Sequence, residues 1–127
     1  MAHRFDEDPS HPSRARQIYL ILIGCAHRRE TTTYSALAHL IGYGDAQHVM
    51  GDRLAPIMYW CQQNDLPPLT NIVVREDTGL PGLGLAGPDA LPAAQQRVFR
   101  FDWYGVVPPT VEELREALRT GRAAAAA

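Results

Sequence analysis

Of the residue types that do chemistry, the helix-forming stretch from Thr33 to Leu54 carries the most suggestive set: Tyr34, Gln47, His48 and Arg53 at spacings that can face one groove. Helix-turn-helix patterning there could set Gln47, His48, Asp52 and Arg53 against a groove, with backbone N–H groups near Asp45 and Ala46 meeting phosphate, which points to nucleic-acid contact. Arg28 and Arg29, with Arg14 and Arg16, extend the basic character at the two ends of an earlier helix, and Arg4 adds to it from the N-terminal arm. The same set is equally readable as an ordinary helical pair with a solvated rim, because Asp45 and Asp52 would repel phosphate.

Other chemistries lack their parts. Five histidines and the two cysteines Cys25 and Cys61 contain elements of a metal site, but no Cys-x-x-Cys or His-x-x-x-His pair brings ligands onto one helical face. No metal and no cofactor are expected. Glu112 with Glu113, and Asp6 with Glu7 and Asp8, are paired carboxylates in an exposed helix start and a loose arm, so acid-base catalysis has no pocket. The expectation is a chain that is not an enzyme. Trp60 and Trp103 are read first as core residues, and an exposed tryptophan beside a concave surface would indicate a protein-binding face instead.

Composition bounds the reading. The 127 residues, 46% hydrophobic and 20% charged, suit one domain with its own core. Net charge is −2 and all 12 basic residues are arginine, so DNA binding would depend on a local patch. The longest apolar run, Ile18 to Ile23, is far shorter than the ~20 residues of a membrane span, and the first residues lack a secretory pattern. The cytoplasm is the expected location. Cys25 and Cys61 sit within apolar patterns as reduced core thiols.

Apolar spacing supplies the elements that position these groups. Residues 1–12 read as a flexible arm. From Ser13 as N-cap, Ile18, Ile21, Leu22, Cys25 and Ala26 mark a nearly all-apolar first helix ending at Arg28 and Arg29. A hydroxyl cap at Thr31 to Thr33 opens a short helix with Leu37, Leu40 and Ile41 on one face; Gly42 and Gly44 break it. Asp45 is then a second N-cap before Val49, Met50, Leu54 and Ile57, with Pro56 interrupting that helix, and together these form helix-turn-helix patterning. Leu69 to Val74 reads as a buried strand, with Leu83 and Leu85 returning beside it as a small hairpin. Ala93 to Arg100 is helical, Phe101, Trp103 and Tyr104 cover the core, and Thr110 to Glu113 is a capping box for a last helix with Gly121 as C-cap. Residues 123–127 read as a disordered or artificial alanine tail without an assigned role.

Several of these features recur in one known family. Thr33-Tyr34-Ser35-Ala36-Leu37-Ala38 before a glycine turn, Met50-Gly51 followed by Leu54, and a proline-containing approach to Ile72-Val73-Val74 with Gly79 beyond resemble the C-terminal, DNA-binding domain of alkylguanine-DNA alkyltransferases and alkyltransferase-like proteins. The likeness covers residues ~31–85 only. It implies a winged-helix-like unit there; with the N- and C-terminal helices read from the apolar spacing, the expectation is a mostly helical α+β fold, a single winged-helix-like domain over residues 13–122.

In that family the strand follows Pro-Cys-His-Arg, whose cysteine accepts the alkyl group; here the places read Leu69-Thr70-Asn71-Ile72, so the transfer chemistry is absent. Tyr34 falls on the tyrosine that helps rotate the target base, and His48 falls where the family has an intercalating arginine. That exchange removes a permanent charge and shortens the wedge. The Leu66-to-Thr70 and Thr78-to-Gly82 segments also resemble a family of small bacterial proteins, a likeness that implies no function. Two readings stay open: a noncatalytic DNA-binding or DNA-associated accessory protein, and a protein-interaction module of adaptor or immunity-like type whose partner is another polypeptide. They differ in whether Arg14, Arg28, Arg29 and Arg53 converge on the helix-turn-helix face.

Overall fold

The computed structural model describes residues 1–45, 47–81 and 91–127. It is mostly helical, with α1 (His11–His27), α2 (Tyr34–Leu40), α3 (Met50–Gln63), α4 (Leu91–Arg100) and α5 (Val111–Ala126), and two short strands, β1 (Thr32–Thr33) and β2 (Val73–Val74). Helix α1 is central and packs against α3, α4 and α5. Its Ala15, Ile18, Tyr19, Leu22 and Ala26 are fully buried, whereas Leu20 is exposed, so one side of the apolar run faces outward.

Helix α1 starts earlier than the expected Ser13 cap. The N-cap is Ser10, whose hydroxyl accepts from the Ser13 N–H at 3.4 Å. Pro12 fits inside this first turn because an N–H there would have no intrahelical partner. Ser13 is thereby drawn inside and buried, and a 3-10 turn at Phe5–Glu7 lies against α1.

Three helices end in the same device. In a Schellman motif the second residue past the cap donates back to the third-last carbonyl, and the residue between takes the left-handed conformation. For α1 the bonds are Glu30 N–H to Cys25 O at 2.9 Å and Arg29 N–H to Ala26 O at 3.0 Å. For α2 they are Tyr43 to Ala38 at 2.8 Å and Gly42 to His39 at 3.2 Å, and for α3 Leu66 to Cys61 at 2.9 Å and Asp65 to Gln62 at 3.4 Å. The left-handed residues are Arg29 (φ 58°), Gly42 (φ 85°) and Asp65 (φ 53°). Only Gly42 adopts that conformation without a Cβ penalty. Arg29→Gly and Asp65→Gly are each expected to stabilise the fold by about 0.5–1 kcal/mol, read as a rise in the urea midpoint at unchanged slope. A fall in either midpoint would mean that the side chain contributes more than the backbone strain costs.

The remaining differences from the sequence expectations have local causes. Thr33 caps α2, its hydroxyl accepting from Ala36 N–H at 3.0 Å. Leu37, Ala38 and Ile41 form the buried face, and Leu40 lies on the opposite side, 64% exposed. Asp45 is not the cap of α3: a 3-10 turn at Gln47–Val49 precedes Met50, and the exposed Asp45 carboxylate lies 3.4 Å from His39 Nε2. Pro56 does not interrupt α3, which continues through it with the proline ring buried and the carbonyl of exposed Asp52 left without its intrahelical donor.

The expected strand from Leu69 begins as a 3-10 turn, Leu69–Ile72, because its three-residue period puts Leu69 and Ile72 on one side, both fully buried. Val73 and Val74 then pair in parallel with Thr32 and Thr33. The expected hairpin partners Leu83 and Leu85 lie outside the described residues.

At the C-terminal end the Thr110–Glu113 capping box is formed, with bonds of 3.1 and 3.2 Å. Gly121 is not a C-cap. It sits inside α5, where a Cβ would lie 2.3 Å from the Tyr59 ring, so the glycine lets α5 rest directly on α3. Residues 123–126 continue that helix.

Candidate nucleic-acid interface

The turn between α2 and α3 is held by Tyr43, which lies between two glycines with positive φ, Gly42 and Gly44. Its ring is the meeting point of two guanidinium groups. Arg14, from the first turns of α1, has its guanidinium carbon 5.1 Å from the ring centroid, and Arg53, from α3, lies at 5.3 Å. Both distances are within the range of cation–π attraction. Arg53 Nε also donates to the Tyr43 hydroxyl at 3.4 Å. One Nη of Arg14 donates to Gln17 Oε1 at 2.8 Å and to the Ile41 carbonyl at 3.3 Å, tying the end of α2 to α1.

Among the described residues neither arginine forms an ion pair, whereas Arg4, Arg28, Arg75, Arg115 and Arg119 each face a carboxylate. The two guanidinium carbons lie within about 10 Å of one another because they share one ring. This is a small positive cluster next to the turn that leads into α3; Arg14 Nε has no partner among the described residues but is closed off from solvent, so a ligand would meet the Nη groups. Exposed His48 stands in that turn, and Gln47 opens it, its side chain lying outside the described part of the structure.

The structure divides the other expected residues. Tyr34 is half-buried at the first position of α2, packed against the core, and lies within electrostatic reach of Arg75. Arg75 is itself forked onto Asp77 at 3.1 and 3.2 Å. Arg28 and Arg29 do not join the cluster: they sit at the opposite end of α1, about 20 Å along the axis from Arg14. Arg28 there pairs with Glu30 at 3.3 Å, and Arg29 is the left-handed residue of the helix cap. Of the four arginines whose convergence distinguishes the two readings, Arg14 and Arg53 converge. Tyr43, the platform that brings them together, was the residue missing from the sequence reading. Its signal was an aromatic side chain inside a glycine turn, where solvent exposure alone would favour a polar residue.

The residues that a covalent mechanism would require are closed in. Thr70 and Asn71 are each 1% exposed. Burial pushes the Cys61 thiol up to about 12 and raises the Cys25 thiol, so neither is a thiolate at neutral pH. Among the described residues no three His, Cys, Asp or Glu side chains gather as a metal site, and no helix is long and apolar enough to cross a membrane. Trp60 and Trp103 both belong to the core.

Comparison with family models, with curated proteins and with solved structures gives no significant match. The functional reading therefore rests on the chain's own geometry.

Proposed function

We propose that this chain is a noncatalytic DNA-binding or DNA-associated accessory protein that docks through the α2–turn–α3 unit in a winged-helix-like manner. The observation that carries this reading is the convergence of Arg14 and Arg53 on Tyr43 without a carboxylate partner. Two fixed cations held on an aromatic platform present oriented N–H donors to phosphate oxygens, which is the positioning half of DNA recognition. Exposed His48, one turn ahead of α3, is the residue that would reach base edges, with Gln47 next to it in sequence, while Tyr34 supports the start of α2. The exposed carboxylates of Asp45 and Asp52 flank the same unit and hold affinity down, in keeping with a net charge of −2.

Two phosphate contacts imply a salt dependence with a slope of about −2 in log K against log salt. Fluorescence-anisotropy titration of a short labelled duplex at several salt concentrations measures it. Arg53→Gln is expected to weaken binding and flatten the slope by about one, and Arg14→Gln to do the same. Tyr34→Ala should weaken binding without changing the slope, since it carries no charge. A thermal melt of each variant separates lost contact from lost fold, a necessary control for Arg14 because it also holds Ile41. Absence of binding at low salt, or slopes indifferent to both arginines, would remove this reading.

A second reading, a protein-interaction module, draws on a different place. Tyr104 and Val107 are 61% and 83% exposed in the segment after the buried Trp103, and the Tyr104 ring stacks edge-on against His27 at 5.2 Å. If DNA binding fails while Tyr104→Ala abolishes association with a partner polypeptide, that face is the functional one.

A further inference from the structure

We propose that the cleft between α3 and α4 is a binding site for a small primary carboxamide, recognised by the side chain of Asn71. Asn71 is 1% exposed, and its main chain is fully used: the N–H donates to the Pro68 carbonyl at 3.0 Å, and its own carbonyl accepts from Gln95 Nε2 at 2.9 Å. Its side chain is different. Both Oδ1 and Nδ2 are closed off from solvent and have no hydrogen-bond partner among the described residues. A buried donor or acceptor left unmade costs about 1–3 kcal/mol, so an apolar side chain would serve the fold better at this position. Such an orphaned group needs a partner that the described chain does not supply, a water or a ligand, and the cleft beside it has room for a ligand.

The cleft beside it has a volume of about 280 Å³, near the lower end for small-molecule sites. Met58, Cys61, Leu66, Pro68 and Ala94 give it apolar walls, Gln62 and Arg97 stand at exposed positions on its rim, and Asn71 completes the lining. The Gln95 bond to the Asn71 carbonyl ties α4 to the turn that carries Asn71, which fixes the two sides of the cleft relative to each other.

The chemical class of the ligand follows from the unused atoms. An amide presents one acceptor and one donor side by side, and a second primary amide answers both, each N–H donating to the other's oxygen. A carboxylate would satisfy only Nδ2 and would place its charge against Oδ1. An ammonium would satisfy only Oδ1. To reach the ligand the Asn71 side chain must turn toward the cleft, and in doing so it breaks no hydrogen bond because it makes none.

Titration of the isotope-labelled protein with benzamide, followed by NMR, tests this. Saturable shifts are expected at the Asn71 side-chain NH₂ pair and at Gln62 and Ala94. N,N-dimethylbenzamide, which has no donor, and toluene should bind at least tenfold more weakly. Asn71→Leu should abolish the preference for benzamide while raising the melting temperature, an outcome opposite to that of a side chain retained for the fold. If that variant does not fold, Ala94→Leu, which fills the cleft from α4, should remove binding instead. Equal binding of benzamide and toluene would overturn the proposal. So would the absence of saturable shifts, and a long-lived water in contact with the Asn71 NH₂ would then identify a bound water as what satisfies the amide.

Discussion

Trp103→Ala is expected to lower the unfolding free energy by about 3–5 kcal/mol, the range for removing a large aromatic from a packed interior. Trp103 is 2% exposed, its ring meets Phe101 at 4.6 Å and Tyr19 at 6.5 Å, and Tyr19 in turn meets Trp60 at 5.6 Å. These edge-on pairs connect α1, α3 and the segment after α4 through one aromatic chain. The indole N–H also donates to the Val98 carbonyl at 2.8 Å. That carbonyl belongs to the last turn of α4, where no intrahelical donor exists, so the indole acts as a C-terminal cap from outside the helix. Trp103→Phe keeps much of the packing and loses the cap, and should cost less, about 1–2 kcal/mol. Urea unfolding followed by far-UV circular dichroism measures both. Domains of this size are stable by about 5–15 kcal/mol, so the alanine variant approaches the unfolding threshold. A loss below about 1 kcal/mol would show that the segment after α4 is not docked on α1.

The helices were legible where one-sided apolar spacing and a capping residue agreed. Thr110 and Glu113 with Leu114 and Ala117 is the clearest case, because the box satisfies backbone donors whatever α5 packs against. Elements decided by tertiary packing were not legible. Leu69 to Val74 is apolar and β-branched at its end, which suits a strand, yet Leu69 and Ile72 reach the same core only if the backbone winds as a 3-10 turn first. Pro56 breaks a helix by local rules, but in α3 its ring is buried and the only carbonyl it orphans belongs to an exposed residue. Gly121 carries the usual sign of a helix end, and its actual reason is the approach of Tyr59 from α3, a neighbour 62 positions away.

The candidate site follows the same division. Arg53 was visible because a cation early in the second helix of a helix-turn-helix pattern faces outward. Its pairing through Tyr43 with Arg14, which is 39 positions away on α1, crosses elements, and no periodicity within one element reports it. Arg28 and Arg29 share the charge but end the opposite turn of α1, where helix length alone separates them from the cluster.

Alkaline pH should destabilise the protein steeply, through two groups in the core. Burial pushes the Cys61 thiol from 9.0 to about 12, and it pushes the Tyr19 hydroxyl from 10.0 to about 12, with a Cys61 thiolate nearby raising Tyr19 further. Both groups hold their proton more tightly in the folded state than in the unfolded chain. Their contribution is therefore complete below pH ~9 and is lost progressively as pH rises from there toward 12. At about pH 11 the loss is of order 4 kcal/mol, at ~1.4 kcal/mol per pH unit for each group above its unfolded value. The basic residues add nothing to this window, because the chain contains no lysine and its arginines stay charged throughout. Cys25, also raised by burial, acts in the same direction. The urea midpoint should be level from about pH 7 to 9 and then fall sharply. Tyr19→Phe should shallow the fall and leave stability at neutral pH unchanged or slightly higher, because the Tyr19 hydroxyl is buried without a hydrogen-bond partner among the described residues. Cys61→Ala should shallow it from pH 9 upward, at a cost of about 1 kcal/mol at neutral pH for the space left. A midpoint that stays level to pH 11 would mean that water reaches both groups, and that the core around α1 and α3 is looser than its burial shows.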